Sequence, residues 1–138
     1  MKTRVQVFES LARIPASEWD ALADGHPLLS HAFLHALHES GSACADSGWS
    51  PCYLGLWEND VLQAAMPLYL KSHSYGEYVF DWAWADAYQR HGLAYYPKLL
   101  CAIPFTPVTG SRLLARTPQQ RQILAQAALD FARDARVS

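Results

Sequence analysis

No stretch of this chain stays apolar over the roughly 18 residues that a membrane-spanning helix needs, so a span is not expected. Neither charge dominates: 11 Lys and Arg stand against 13 Asp and Glu, a formal net charge of −2. Without a basic surplus to neutralise phosphates, DNA and other nucleic acids are not expected partners. Cysteine is scarce. Cys44, Cys52 and Cys101 are odd in number and show no C-x-x-C spacing, which excludes a disulfide framework and a thiolate zinc cage. Such usage fits a reducing, cytoplasmic setting in which thiols act as small hydrophobes. The first residues lack the continuous apolar segment of a secretory signal, and no repeat or low-complexity tract is evident.

What the chain does have is core material. Of its 138 residues 51% are hydrophobic and only 17% charged, the balance of one globular domain with a real core. Five Trp and seven Tyr are many for this length, and aromatics at that density fill cores or line ligand grooves. Alternation at Val5 and Val7 predicts a first strand over 4–8. A helix follows, with Ser17 as its N-cap, Trp19, Leu22 and Ala23 as its apolar stripe, and Gly25-His26-Pro27 as its stop. Ser30 opens a second helix that buries Phe33, Leu34 and Leu37, and Gly41 closes it.

Residues 41–51 read as a loop. Residues 52–57 and 61–71 then read as a hairpin, with Leu54 and Leu56 on one face and Tyr53, Gly55 and Trp57 on the other. Pro67, which cannot donate to a ladder, predicts an edge or a bulge in the second arm. A short extended piece at Tyr78-Val79-Phe80 leads to Asp81, the expected cap of a helix from Trp82 to about His91. An apolar strand is expected over 98–103 and an extended piece at 112–114. Thr117, Pro118 and Gln120 form a capping box that starts a last amphipathic helix. The order predicts an α+β (mixed α/β) fold, a largely antiparallel central sheet flanked by helices. The last helix ends the chain where another strand would ordinarily follow, so the expectation is an incomplete domain, the N-terminal piece of a longer protein.

The segment Pro67-Leu-Tyr-Leu-Lys-Ser-His-Ser-Tyr-Gly-Glu-Tyr-Val-Phe-Asp81 is distinctive. So are Trp84-Ala-Asp-Ala-Tyr88, Tyr95-Tyr-Pro-Lys-Leu-Leu100, Pro104-Phe-Thr-Pro-Val-Thr-Gly110 and Arg112-Leu-Leu114. Together with His31-Ala-Phe-Leu34 and Gly48-Trp49-x-Pro51, they closely resemble the FemAB-like family of N-acyltransferases, linked to peptidoglycan biosynthesis or recognition and related to the GNAT superfamily. The resemblance covers about residues 26–115. It implies a GNAT-like fold in which residues 1–138 form the N-terminal, acceptor-side domain, with a second similar domain as partner in the same chain. It also implies transfer of an acyl or aminoacyl group to an amine, the acceptor being a peptidoglycan precursor. The alternative is a non-catalytic recognition or scaffolding domain that keeps the fold. A GNAT site cradles pyrophosphate in a glycine-rich loop, but residues 114–121 contain no glycine and Pro118 removes an N–H. No cofactor is therefore expected on this part of the chain. Acyl-CoA or aminoacyl-tRNA would be the donor of the whole protein.

Acyl transfer to an amine needs a proton acceptor and donors aimed at an oxyanion. Glu77, Asp81 and Asp86 are the candidate catalytic carboxylates, with Asp81 also readable as a plain helix cap. Lys98, next to an apolar strand, is expected either to pair with a carboxylate or meet an anionic substrate, or to lie at the surface. Tyr88, Tyr95 and Tyr96 offer phenols. Of Trp82 and Trp84, two apart on a helix, one is expected in the core and the other, assigned to Trp84, on a substrate groove. The loop 105–110 is the other candidate groove wall, through Phe105, Thr106, Thr109 and Gly110, with Arg112 supplying a fork for an anion. His31, His35 and His38 share a helix face at i, i+4 and i+7. With no cysteine or carboxylate recognised at a matching position, no metal site is expected there.

Overall fold

The computed structural model describes residues 3–77, 81–108 and 110–138. The expected extended piece at Tyr78-Val79-Phe80 and the expected contact at Thr109 lie outside those residues. The elements run β1 (Thr3–Phe8), α1 (Ala16–Ala23), α2 (His31–Glu39), β2 (Trp49–Pro51), β3 (Tyr53–Glu58), β4 (Val61–Met66), β5 (Leu68–Lys71), α3 (Trp82–Arg90), β6 (Lys98–Cys101), β7 (Leu114–Ala115) and α4 (Pro118–Ala135). The fold is α+β, with two antiparallel sheets in the orders β1-β3-β4-β7 and β2-β5-β6.

The hairpin prediction holds for its first half only. Asn59 and Asp60 both take positive φ, the requirement of a tight two-residue turn, and join β3 to β4. Further on, both arms change sheet at the same level. One arm breaks at Cys52, whose N–H still reaches Leu68 O at 3.0 Å. The other breaks at Pro67, which has no N–H to give and whose carbonyl accepts instead from Ala102 N at 3.3 Å. The single long arm expected over 61–71 is therefore two strands, and residues 49–51, read as loop, form β2 of the second sheet.

Side chains alternate across β3 as the sequence predicts, and both faces are covered. Tyr53 and Trp57 join Trp19, Leu22, Leu29 and Leu34 under α1 and α2. Leu54 and Leu56 join Ala64, Met66 and Leu124 under α4. The Trp19 indole donates to Leu29 O at 2.8 Å, so this buried polar atom is satisfied. Thr117 and Gln120 form the predicted reciprocal box at the start of α4. Ser30 caps α2 through Phe33 N as expected, whereas Ser17 does not cap α1: the helix begins at Ala16, two residues earlier than a Ser17 cap implies, after Pro15 and with no side-chain cap. On α2 only Leu34 is fully buried; Phe33 and Leu37 are half-covered.

Helix α3 contributes no buried residue. Trp82 and Trp84 are 45% and 67% exposed, so the expectation that one of them enters the core fails. The helix is tied to the β6 end by Asp81, which pairs with Lys98, and by the Tyr88 ring, which packs on Tyr95.

Candidate functional site

Beyond the level of Pro67 the second sheet carries polar residues on its buried face. Lys71, at the end of β5, has the same strand parity as Tyr69 and is fully buried under Trp49. Its Nζ lies 3.7 Å from the Trp49 ring centroid, a cation–π contact. It donates to Tyr75 O at 2.6 Å and pairs with Glu77 Oε2 at 3.0 Å. Across the sheet, Lys98 at the start of β6 is 4% exposed and donates to Glu77 Oε1 at 2.8 Å, to Ser74 Oγ at 3.1 Å and to Asp81 Oδ2. The Tyr95 hydroxyl donates to the same Asp81 oxygen at 2.6 Å, and Tyr96 and Ser74 share a hydroxyl contact at 2.5 Å. Two ammonium groups and two carboxylates thus share one buried point, and Glu77 bridges the lysines.

Asp81 stands at the N-cap position of α3 but makes no cap bond; its carboxylate turns to Lys98 and Tyr95 instead. A charged partner and a phenol outcompete the local capping role. Asp81 Oδ1 is buried and makes no hydrogen bond of good geometry among the described residues. Burial alone would push this carboxyl up, yet bonds from Lys98, Ser74 and Tyr95 and the Lys98 charge outweigh it and hold the pKa at about 2. For Lys98, burial works against the charge, but Asp81 and Glu77 prevail and its pKa is raised. Lys71 goes the other way: burial, helped by the neighbouring Lys98, lowers it despite Glu77. Burial and the Asp81 carboxylate raise the Tyr95 phenol, so it stays a donor.

Glu77, Asp81, Tyr95 and Lys98 floor one end of a cavity of about 520 Å³. Its other lining includes Trp49, Leu99, Cys101, Ile103, Thr106, Pro107, Val108 and Arg112. A strained turn precedes the lining residues Thr106, Pro107 and Val108, and Phe105, expected on the groove, does not itself line the cavity. Phe105 takes positive φ (61°), and its ring lies 5.1 Å from that of Trp49. The ring presses on Gly76, where an added Cβ would come within 2.6 Å of it, so only glycine fits there.

The structure brings together Glu77, Asp81 and Lys98, which the sequence named separately, and joins to them Lys71, Ser74 and Trp49, which sequence reasoning did not single out as site residues. Sequence reasoning also assigned roles that the side chains do not take. Arg112 does not hold its fork open: its terminal nitrogens donate to Val108 O at 2.6 Å and Gly110 O at 3.1 Å, tying down its own loop. The Thr106 hydroxyl likewise donates within its turn, to Pro104 O at 3.0 Å. Asp86 is an exposed ion pair with Arg90 at 3.2 Å and stands apart from the cluster. Trp84 does not line the cavity, Tyr88 packs edge-on against Tyr95, and Tyr96 reaches the cluster through Ser74 and the Tyr95 ring. Burial raises the Cys52 and Cys101 thiols to about 12, so neither is a nucleophile at neutral pH.

At the start of α4, Gln120 N donates to Thr117 Oγ1, and Gln120 Oε1 accepts from the N–H groups of Arg116 and Thr117. No helix among the described residues is long and apolar enough to cross a membrane. A model of the FemAB-like family, described as peptidoglycan biosynthesis/recognition, matches residues 10–138. No curated protein and no solved structure matches.

Proposed function

The chain belongs to the FemAB-like family of peptidoglycan biosynthesis/recognition, and from that premise we propose that it is the acceptor-side domain of an N-acyltransferase acting on an amine-bearing peptidoglycan precursor. The observation that carries this reading is the cavity whose apolar walls end on the Asp81, Glu77 and Lys98 floor. Buried ion pairs are poor stabilisers of a fold, so four charges gathered beside a cavity ask for a chemical role.

The pKa directions define that role. A carboxylate held at about 2 is too weak a base to take a proton from an attacking amine near neutral pH. Lys98 is held charged and has no lone pair to offer. Asp81 and Glu77 therefore anchor and orient the acceptor's amine. Water or the donor side takes the proton. Lys71, packed behind Trp49, fixes Glu77 and does not meet the substrate. The donor, an acyl-CoA or an aminoacyl-tRNA, is bound by residues other than these, because the start of α4 is already capped by its own side chains.

In the intact protein, Asp81→Asn should raise KM for a peptidoglycan stem peptide with a free side-chain amine by at least about tenfold. Unchanged KM and kcat would remove the acceptor role. The capped α4 start also supports the alternative, a recognition domain without chemistry. Turnover by the intact protein that Asp81→Asn lowers without unfolding it would reject that alternative. Acceptor binding with no transfer to any donor would favour it.

A further inference from the structure

The last turn of α2 carries a second cluster, remote in sequence from the β5–β6 site and absent from the functional reading above. His35, His38 and Glu39 each offer a ligand atom, and the three atoms lie within 4.8 Å of one another. Helical spacing explains the meeting: i, i+3 and i+4 fall on one face, one turn apart. A carboxylate does therefore stand at a matching position, one turn beyond His35.

Two further observations separate these side chains from an ordinary polar face. The Nδ1 atoms of His35 and His38 are buried and have no hydrogen-bond partner among the described residues. Buried imidazole nitrogens left unmet call for an explanation, and rings committed to no internal hydrogen bond through Nδ1 are free to turn a nitrogen to a metal. His31, by contrast, is fully engaged: its Nε2 contacts Leu11 O at 2.6 Å and Ile14 O at 2.9 Å, so it braces the preceding turn and is not a ligand. Glu39 Oε1 already lies 3.6 Å from His35 Nε2. The site also falls where the helix carbonyls point, and a cation is favoured at that end.

We propose that His35, His38 and Glu39 bind a divalent cation of the zinc class, with water completing the coordination. Two imidazoles and one carboxylate suit Zn²⁺ and other late first-row metals and disfavour Mg²⁺ and Ca²⁺, which seek all-oxygen shells. Three ligands on one turn leave coordination positions open. The bound ion clamps the end of α2, from which the chain runs to β2 and Trp49, the wall of the acceptor cavity. The proposal is independent of the acyltransfer reading.

The test is a calorimetric titration of the untagged, metal-stripped protein with ZnCl₂ and, separately, with MgCl₂. The expected result is one Zn²⁺ per chain, no Mg²⁺ uptake, and a rise in melting temperature with Zn²⁺. Glu39→Gln, which keeps size and exposed position, should weaken Zn²⁺ binding by roughly tenfold or more. His35→Ala/His38→Ala should abolish it, with an unchanged far-UV dichroism spectrum confirming the fold. Co²⁺ loaded in place of Zn²⁺ should show visible bands that the double variant lacks. No Zn²⁺ binding by the parent chain, or binding that persists in the double variant, would overturn the site.

Discussion

The two halves of one hairpin make the instructive contrast. From Tyr53 to Met66 the strands bury hydrocarbon on both faces: Tyr53 and Trp57 toward α1 and α2, Leu54, Leu56, Ala64 and Met66 toward α4. A few residues further along, past Cys52 and Pro67, the interior holds Lys71 of β5 with Lys98 of the neighbouring β6 and with Glu77 and Asp81. The first half is what folding demands. The second half spends burial on charge, which folding does not demand, and it is the half that lines a cavity. The difference separates a scaffold, built by the first half of the arms, from a site that their second half shares with β6.

Breaking the charged half by removing one partner should have the largest effect. Lys98→Ala leaves Asp81 and Glu77 buried without their shared cation and should cost about 3–5 kcal/mol in denaturant unfolding. An equal loss from Lys98→Ala and from an exposed-pair variant such as Arg90→Ala would erase the distinction between buried and surface charge. In the apolar half, Leu124→Ala removes a fully buried side chain under β3 and β4 and should cost about 2–4 kcal/mol, with no change in acceptor KM.

Acid sharpens the comparison further. The Asp81 pKa is depressed on folding, so its contribution is complete above the ordinary value of 3.8 and is lost as pH falls toward about 2. That loss amounts to about 2 kcal/mol, and it should be missing from the acid unfolding curve of Asp81→Asn. Lys98, with a raised pKa, contributes below 10.5 and gives way only at higher pH. The smallest effect is remote from both halves: Thr117→Ala should cost about 1 kcal/mol through the lost cap of α4, without touching the acid profile.

Much of this was legible in the residues. The two-faced pattern of 53–57 predicted β3's cover, and Thr117-Pro118 with Gln120 predicted the start of α4 because a capping box depends only on local spacing. Glu77, Asp81 and Lys98 could be named as chemistry-bearing, but their meeting could not, since it depends on β5 pairing with β6. Lys71 did leave a signal. It shares parity with Tyr69, and a lysine on the inward face of an otherwise apolar strand is the mark of a buried partner. Asp81 misled in the opposite direction, because a local rule made it a cap where a tertiary partner claimed its carboxylate. The left-handed backbone of Phe105 had no sequence mark, since nothing about phenylalanine predicts positive φ. The Arg112 fork was misassigned because its nearest acceptors are its own loop carbonyls, a fact of folding back and not of composition.

The central claim is that the charged end of the hairpin serves an acceptor and not the fold. Thermal melting of the double variant Asp81→Leu/Lys98→Met, with and without the amine-bearing stem peptide, tests it directly. The account predicts a melting temperature at or above that of the parent chain, because hydrophobic replacement of a buried pair is typically neutral or stabilising, and no shift on adding the peptide. A variant that melts far earlier, or one that the peptide still stabilises as it does the parent, would contradict it.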